Sequence, residues 1–207
     1  MALRLGRLAK LSSRARTSQR REYLTNSMTT TTPSTMGGGT KHQSLRRRFT
    51  VAGVLLGLGL GGFFDGIVLH QILQWHHMLT DYGTHASYPA TNVGSLEDNT
   101  LWDGLFHLST WVFVAVGVFA LWRTLSAGYR ATWRSMVGLL LAGWGIFNLV
   151  EGIVDHHLLT IHHVRDDVAD PLWWDIGFLA IGAGLVIVGV ALRQSDRRYT
   201  DRLLVHH

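Results

Sequence analysis

Four long apolar runs dominate the chain after residue 48, and their length is the first structural signal. They predict helices at about residues 49–78, 101–123, 135–162 and 172–193. Each run approaches or exceeds the roughly 20 apolar residues that an α-helix needs to cross about 30 Å of hydrocarbon. The segments 51–64, 109–122 and 177–192 also lack the polar stripe of a soluble bundle helix. The pattern therefore predicts an all-α, four-helix transmembrane bundle over residues 49–193.

The polar residues inside these runs occur as a repeated motif. The stretch "EGIVDHHLLTIHH" (151–163) aligns without a gap with "DGIVLHQILQWHH" (65–77), at an offset of 86 residues. The second and fourth runs also open alike, with "LWDGLF" (101–106) and "WWDIGF" (173–178). The predicted unit is a helical hairpin that occurs twice. Since both copies begin on the same side, they are expected to be parallel repeats about an axis along the membrane normal.

The positions of the basic residues along the chain indicate how it is oriented in the membrane. Arginines cluster before the first run, between the second and third, and after the fourth, whereas the loops 79–100 and 161–171 are acidic. The positive-inside rule then predicts a multi-pass plasma-membrane protein with both termini cytoplasmic and both acidic loops outside. The net charge of +5 is explained in this way. The lipid bilayer is the expected partner, and nucleic acid is not.

The two ends of the chain are expected to lie outside the bundle. Residues 1–48 are rich in Arg, Ser and Thr and show no hydrophobic periodicity, which predicts a disordered basic tail. This tail is either upstream of the true start or a targeting segment. Residues 194–207 form a short tail predicted to be cytoplasmic. The chain contains no cysteine, so no thiolate is available as a nucleophile or a metal ligand.

The ionisable residues of the runs are all expected in the outer half of the bundle. Such groups are costly in a membrane and normally face one another in the bundle interior. Imidazoles and carboxylates without thiolates suit a divalent metal ion, here copper, iron or zinc. The candidate ligands, or acceptors that orient ligands, are His70, His107, His156, Asp65, Asp103, Glu151 and Asp155. Further candidates, at the outer mouth of the site or on a second ion, are His76, His77, His162, His163, His157 and Asp175.

The motifs "GFFDGIVLHQILQWHH", "LWDGLFH" and "NLVEGIVDHHLLTIHH" carry a family resemblance. Over about residues 48–193 the chain resembles a family of predicted bacterial and archaeal membrane proteins, domain of unknown function 2243. The resemblance implies four membrane helices and brings no established activity.

Four functions are compatible with these residues. The first is a protein that holds a metal ion or delivers it, with a membrane metalloenzyme or a second copy of the chain as partner. The second is a metal-dependent membrane oxidoreductase with a dinuclear or copper centre. The third is a bis-histidine haem protein with His70 and His156 as axial ligands. The fourth is a relay for protons or ions. The ligands alone do not decide whether the protein is an enzyme.

Overall fold

The computed structural model describes residues 35–82 and 91–205, and within them it contains helices and no strand. The α-helices are α1 Thr35–Phe64, α2 Val93–Ser126, α3 Trp133–Glu151 and α4 Leu172–Val205. Four spans are long and apolar enough to cross a membrane: Gly39–Ile72, Val93–Ser126, Trp133–Leu158 and Leu172–Asp196. The predicted all-α class with four membrane helices is confirmed.

The helix bounds differ from the predicted ones at several ends. Helix α1 begins at Thr35, so residues 35–48, expected in the disordered tail, are helical, whereas residues 1–34 lie outside the described part. Helix α4 continues to Val205, through most of the predicted C-terminal tail. Both additions are too polar to have been recognised from apolar length, because they carry the arginine clusters that flank the spans.

Helices α1 and α3 each continue into a π-helical segment, Asp65–Ile72 and Gly152–Leu158. Both segments stop short of the predicted helix ends at 78 and 162, and the chain then takes a positive φ at Gln74 (51°) and at Thr160 (48°). The apolar run predicted that a membrane span lies here, but it placed the end of the span too late and could not show this reversal. The residues that follow turn back toward the bundle instead of leading away from it.

Glycine contacts determine how the helices pack. A Cβ added to Gly57 of α1 would lie 2.7 Å from the Cα of Gly143 in α3, and one on Gly143 would lie 2.8 Å from the Cα of Gly57. Only the absence of side chains allows two backbones to approach this closely. Gly145 of α3 meets the backbone of Gly182 in α4, and Gly117 of α2 meets Leu56 of α1.

This packing places α1 and α3 at the centre. In the most apolar stretch of each span, the buried share of the residues is 44% in α1 and 50% in α3, against 11% in α2 and 22% in α4. Contacts divide the chain into two units, Met1–Gln43 and Ser44–His207, and the helix packing lies in the second. Since α1 and α3 run parallel, their π-helical segments reach the same end of the bundle, and the polar residues of both meet there.

Candidate metal centre

Two buried imidazoles each lie between two carboxylates. His70 has its Nε2 atom 3.0 Å from Asp65 Oδ2 and its Nδ1 atom 3.0 Å from Asp103 Oδ1. His156 has its Nε2 atom 2.9 Å from Glu151 Oε1 and its Nδ1 atom 3.3 Å from Asp175 Oδ1. Their side chains are 0% and 1% exposed. Each imidazole therefore has a carboxylate on two sides.

The inner contacts of these imidazoles are close without being hydrogen bonds. A neutral imidazole carries one N–H, and the Nδ1 atom of His70 uses it to donate to Asp103. The Nε2 atom then presents a lone pair to Asp65, whose two oxygens have no hydrogen-bond partner among the described residues. A lone pair and a carboxylate 3.0 Å apart repel each other, so this contact requires either a second proton on the imidazole or a cation between the two groups.

A second pair of histidines, His76 and His162, lies beside these imidazoles and carboxylates. The rings of His76 and His162 are stacked, with centroids 4.6 Å apart and planes within 3° of parallel. The Nδ1 atom of His76 donates to the carbonyl of Val164 at 2.9 Å, which leaves Nε2 free of hydrogen bonds to the described protein. The Nε2 atom of His162 lies 3.0 Å from Glu151 Oε1.

Burial keeps both stacked histidines neutral. It lowers the pKa of His76 well below its ordinary value of 6.5, and neighbouring imidazoles lower it further. Burial likewise lowers the pKa of His162 to about 3, and the neighbouring imidazoles of His156 and His70 act in the same direction. A neutral imidazole with a lone pair is the form that ligates a metal.

The geometry of these groups fits a metal ion. His70, His76 and His162 each offer one ligand atom, and these three atoms lie within 4.8 Å of one another. The same holds for Glu151, His156 and His162. With metal–nitrogen and metal–oxygen bonds of about 2.1 Å, neighbouring ligands of one ion lie about 3.0–3.4 Å apart. The contacts of 2.9–3.0 Å between imidazole nitrogens and carboxylate oxygens agree with that spacing.

Asp103 and Asp175 lie on the Nδ1 sides of His70 and His156, opposite Asp65 and Glu151. Asp103 accepts from the Nδ1 atoms of His70 (3.0 Å) and His77 (2.7 Å) and from the backbone N–H of Met78 (3.0 Å). Asp175 accepts from His163 Nδ1 at 2.7 Å and from the backbone N–H of Val164 at 2.9 Å. Carboxylates in this position fix the tautomer and direction of a ligating imidazole and raise its basicity.

Several local contacts recur in the two halves of the chain. Leu73 N–H donates to Val68 O at 2.8 Å, and 86 positions later Leu159 N–H donates to Val154 O at 2.8 Å. The pairs of His70 with Asp65 and of His156 with Glu151 are separated by the same offset. The local contacts thus match, while duplication of the whole hairpin stays a prediction.

The buried carboxylates around these histidines have no lysine or arginine partner among the described residues. These carboxylates are Asp65, Asp103, Glu151 and Asp175. No lysine or arginine of the described residues forms an ion pair with any of them; Arg165 binds Asp167 instead, at 2.7 Å. Buried carboxylates without a compensating cation are costly, and a divalent ion would compensate them.

The other candidates occupy different positions. His107 donates from Nδ1 to the carbonyl of Asp103 at 2.8 Å, while its Nε2 atom faces Gly66 and belongs to neither ligand group. Asp155 is half-buried, and His157 is exposed. His77 and His163 lie on the outer side of Asp103 and Asp175, with side chains 11% and 22% exposed.

The sequence placed His76 and His162 only at the outer mouth of the site or on a second ion. Counted along straight helices, both lie beyond the hydrocarbon, where histidine is common. The reversals at Gln74 and Thr160 return them to the cluster, and they are 2% and 0% exposed. Their equal offset in the two motifs was the one sequence feature that could have identified them as a pair.

Comparisons with known proteins add one finding. A family model described as a predicted membrane protein (DUF2243) matches residues 52–196, which is most of the chain. No curated protein and no solved structure matches it. The region matched contains all the cluster residues and all but the beginning of the four-helix arrangement.

Proposed function

The chain belongs to the DUF2243 family of predicted membrane proteins, and we propose that it holds a divalent transition-metal ion between its membrane helices. The proposed ligands, called the ligand cluster below, are Asp65, His70, His76, Glu151, His156 and His162. Four imidazoles and two carboxylates form a nitrogen–oxygen donor set that suits copper(II), iron or zinc. The protein would store the ion or pass it to a partner.

One observation supports this proposal above all others. Most buried atoms without a hydrogen-bond partner among the described residues belong to the ligand cluster: Nε2 of His70 and His76, both ring nitrogens of His156, Nδ1 of His162, both oxygens of Asp65, and Oε2 of Glu151. An orphaned buried polar atom costs about 1–3 kcal/mol, and more when charged. Several of them side by side are explained by a ligand, and a metal ion would satisfy them together.

The partly exposed residues above the ligand cluster are suited to ion entry. His163 directs its Nε2 atom toward Asp81 Oδ2, 3.9 Å away, while its Nδ1 atom is bound to Asp175. His77 has the matching position on Asp103. An ion captured here would pass inward to imidazoles that share the same carboxylates. Delivery would run the other way, to a membrane metalloenzyme or to a second copy of the chain.

We also propose that this end of the bundle faces outward. The arginines near the start of α1 and around the α2–α3 connection lie at the opposite end, which the positive-inside rule assigns to the cytoplasm. Since the chain has no cysteine, Asp167→Cys and Arg130→Cys would each introduce a single thiol. A membrane-impermeant maleimide should label the first variant and not the second in intact cells; the reverse pattern would overturn the orientation.

Metal analysis of the purified protein tests the main proposal. Protein purified in detergent from metal-replete cells should retain about one or two ions per chain by elemental analysis. The double variant His70→Ala/His156→Ala should lose them. His157→Ala is the matched control, because His157 is adjacent to His156 in sequence but exposed, and it should keep them. Metal-free wild-type protein, or equal loss in the control, would overturn the proposal.

A metal-dependent oxidoreductase is the second candidate. The observation that favours it is an apolar cavity directly behind Phe178, whose ring centroid lies 5.5 Å from that of His156. A lipid-soluble reactant could approach the ligand cluster from this side.

The haem and relay alternatives gain less support. The Nε2 atoms of His70 and His156, which would bind haem iron, face carboxylates at 3.0 and 2.9 Å and leave no room there for a porphyrin. A relay needs polar groups across the bundle. In the described residues the inner half is closed instead by the Gly57–Gly143 contact and by apolar side chains.

A further inference from the structure

An apolar cavity of about 590 Å³ lies beside the ligand cluster, between the first π-helical segment, α3 and α4. Its lining includes Phe64, Trp144, Asn148, Trp174, Gly177 and Phe178. This volume is within the range of about 300–1,000 Å³ typical of small-molecule sites, and such sites are mostly apolar with few polar groups. Phe178 separates the cavity from His156.

Asn148 is the polar group of this cavity. It belongs to α3, one turn before Glu151, inside a membrane span, and is only 4% exposed. No hydrogen bond joins its side-chain amide to another described residue. An amide in an apolar surrounding is stabilised by a hydrogen-bond partner. An unpaired amide that faces an otherwise apolar cavity indicates a ligand that can form a hydrogen bond with it.

The charge around the cavity restricts the chemistry of that ligand. Arg165 lies over the rings of Trp75 and Trp174, at 5.0 and 4.9 Å from their centroids. Its guanidinium is already bound to Asp167 through two contacts of 2.9 and 2.7 Å. No lysine or arginine is among the described residues that line the cavity. A phosphate headgroup would thus be buried without a free cation, which is unfavourable.

We infer that this cavity binds a membrane quinone, whose ring would lie among the aromatic side chains and whose oxygen would be bonded by Asn148. The amide of asparagine can donate to a quinone carbonyl and accept from a quinol hydroxyl, so both forms would fit. Flat rings gain further stabilisation from contact with aromatic side chains. The isoprenoid tail would leave the cavity toward the surrounding lipid. This inference does not require that the ligand cluster holds a metal.

Fluorescence titration of the purified full chain with decylubiquinone tests the inference. Tryptophans 75, 144, 173 and 174 line the cavity, so a bound quinone should quench their emission in a saturable manner. Asn148→Leu should weaken the affinity by roughly tenfold, which corresponds to about 1.4 kcal/mol. Decylbenzene, which has a ring and a tail but no carbonyl, should bind the wild type and this variant equally. Treatment with a chelator should leave quinone binding unchanged.

A matched pair of glycine substitutions locates the site. A Cβ on Gly177 or on Gly184 meets no atom within 4 Å, so both α4 positions accept a larger side chain, but only Gly177 lines the cavity. Gly177→Leu should weaken quinone binding at least tenfold, whereas Gly184→Leu should leave it unchanged. The inference is overturned if quenching does not saturate or if both glycine variants behave alike. It is also overturned if Asn148→Leu binds quinone as tightly as the wild type does.

Discussion

The imidazole rings of His76 and His162 are stacked at 4.6 Å, with planes 3° apart, although they belong to different halves of the chain. Each lies just after a positive-φ residue, Gln74 or Thr160, at which a helical segment has ended. Both backbone reversals are needed to bring the two rings together. The stack therefore joins the two halves at the centre of the ligand cluster.

We expect both stacked histidines to contribute nitrogen to a bound metal. His76→Ala and His162→Ala should each weaken copper(II) binding at least tenfold, because each removes one ligand from the site. Electron paramagnetic resonance of the copper-loaded protein should show one coupled nitrogen fewer in each variant than in the wild type. An unchanged nitrogen pattern in either variant would exclude that histidine as a ligand.

The carboxylates behind the imidazoles should matter almost as much as the ligands. Asp103 accepts hydrogen bonds from two imidazoles and a backbone N–H. Asp175 accepts from His163 and a backbone N–H and lies 3.3 Å from His156 Nδ1, so Asp103→Asn and Asp175→Asn each weaken the orientation of the rings. Loss of such a partner lowers metal affinity by about 10- to 100-fold. Competition with a chelator of known affinity measures this change. Asp170→Asn, at an exposed position outside the ligand cluster, should bind as the wild type does.

A comparison of His107 and His70 variants distinguishes a histidine that only packs from one that binds the metal. Its Nε2 atom faces Gly66, and it belongs to neither group of candidate ligands. His107→Gln should therefore retain metal at wild-type stoichiometry, whereas His70→Gln should lose most of it. Elemental analysis of the two variants, purified side by side, decides the point. Equal loss in both would show that His107 is a ligand after all.

The close contact of α1 and α3 should tolerate no side chain. A Cβ on Gly143 would lie 2.8 Å from the Cα of Gly57, so Gly143→Leu must separate the helices. Overpacking of this kind costs typically about 1–3 kcal/mol, and we expect a lower Tm in a thermal unfolding assay in detergent. Gly104→Leu is the control, because a Cβ there meets nothing within 4 Å. Equal Tm values for the two variants would contradict the packing described.

Asp166 should make stability depend on pH. Burial and repulsion by Asp81 raise the pKa of its carboxyl from 3.8 to about 8. The folded state therefore binds more protons than the unfolded state between about pH 4 and pH 8, and this group's contribution to stability is lost as the pH rises through that window. Asp166→Asn resembles the protonated acid and removes the dependence.

The measurement is the difference in Tm between Asp166→Asn and the wild type. It should be small at pH 5.5 and should increase in favour of the variant at pH 8.5. Asp167→Asn provides the comparison, since Asp167 is exposed and its bond to Arg165 lowers its pKa. A difference for Asp166→Asn that does not change with pH would contradict the raised pKa.

Much of the fold followed from simple patterns in the chain. Apolar length predicted the four membrane spans, because crossing hydrocarbon requires a minimum number of apolar residues. The absence of a side chain at Gly57 allows α1 to approach the backbone of α3. The helix ends were predicted less well, since polar residues continue α1 and α4 beyond their apolar parts.

The sequence by itself determined the chemistry of the site: which carboxylates and histidines exist, that no thiol accompanies them, and that they recur at one offset. Only the tertiary structure decided which of these residues lie close together. It placed His76 and His162 inside the ligand cluster, left His107 facing Gly66, and put Asp103 and Asp175 behind the imidazoles. The physical reason is that a periodic pattern describes a straight helix. The reversals at Gln74 and Thr160, and the contacts between distant residues, arise only when the whole chain has packed.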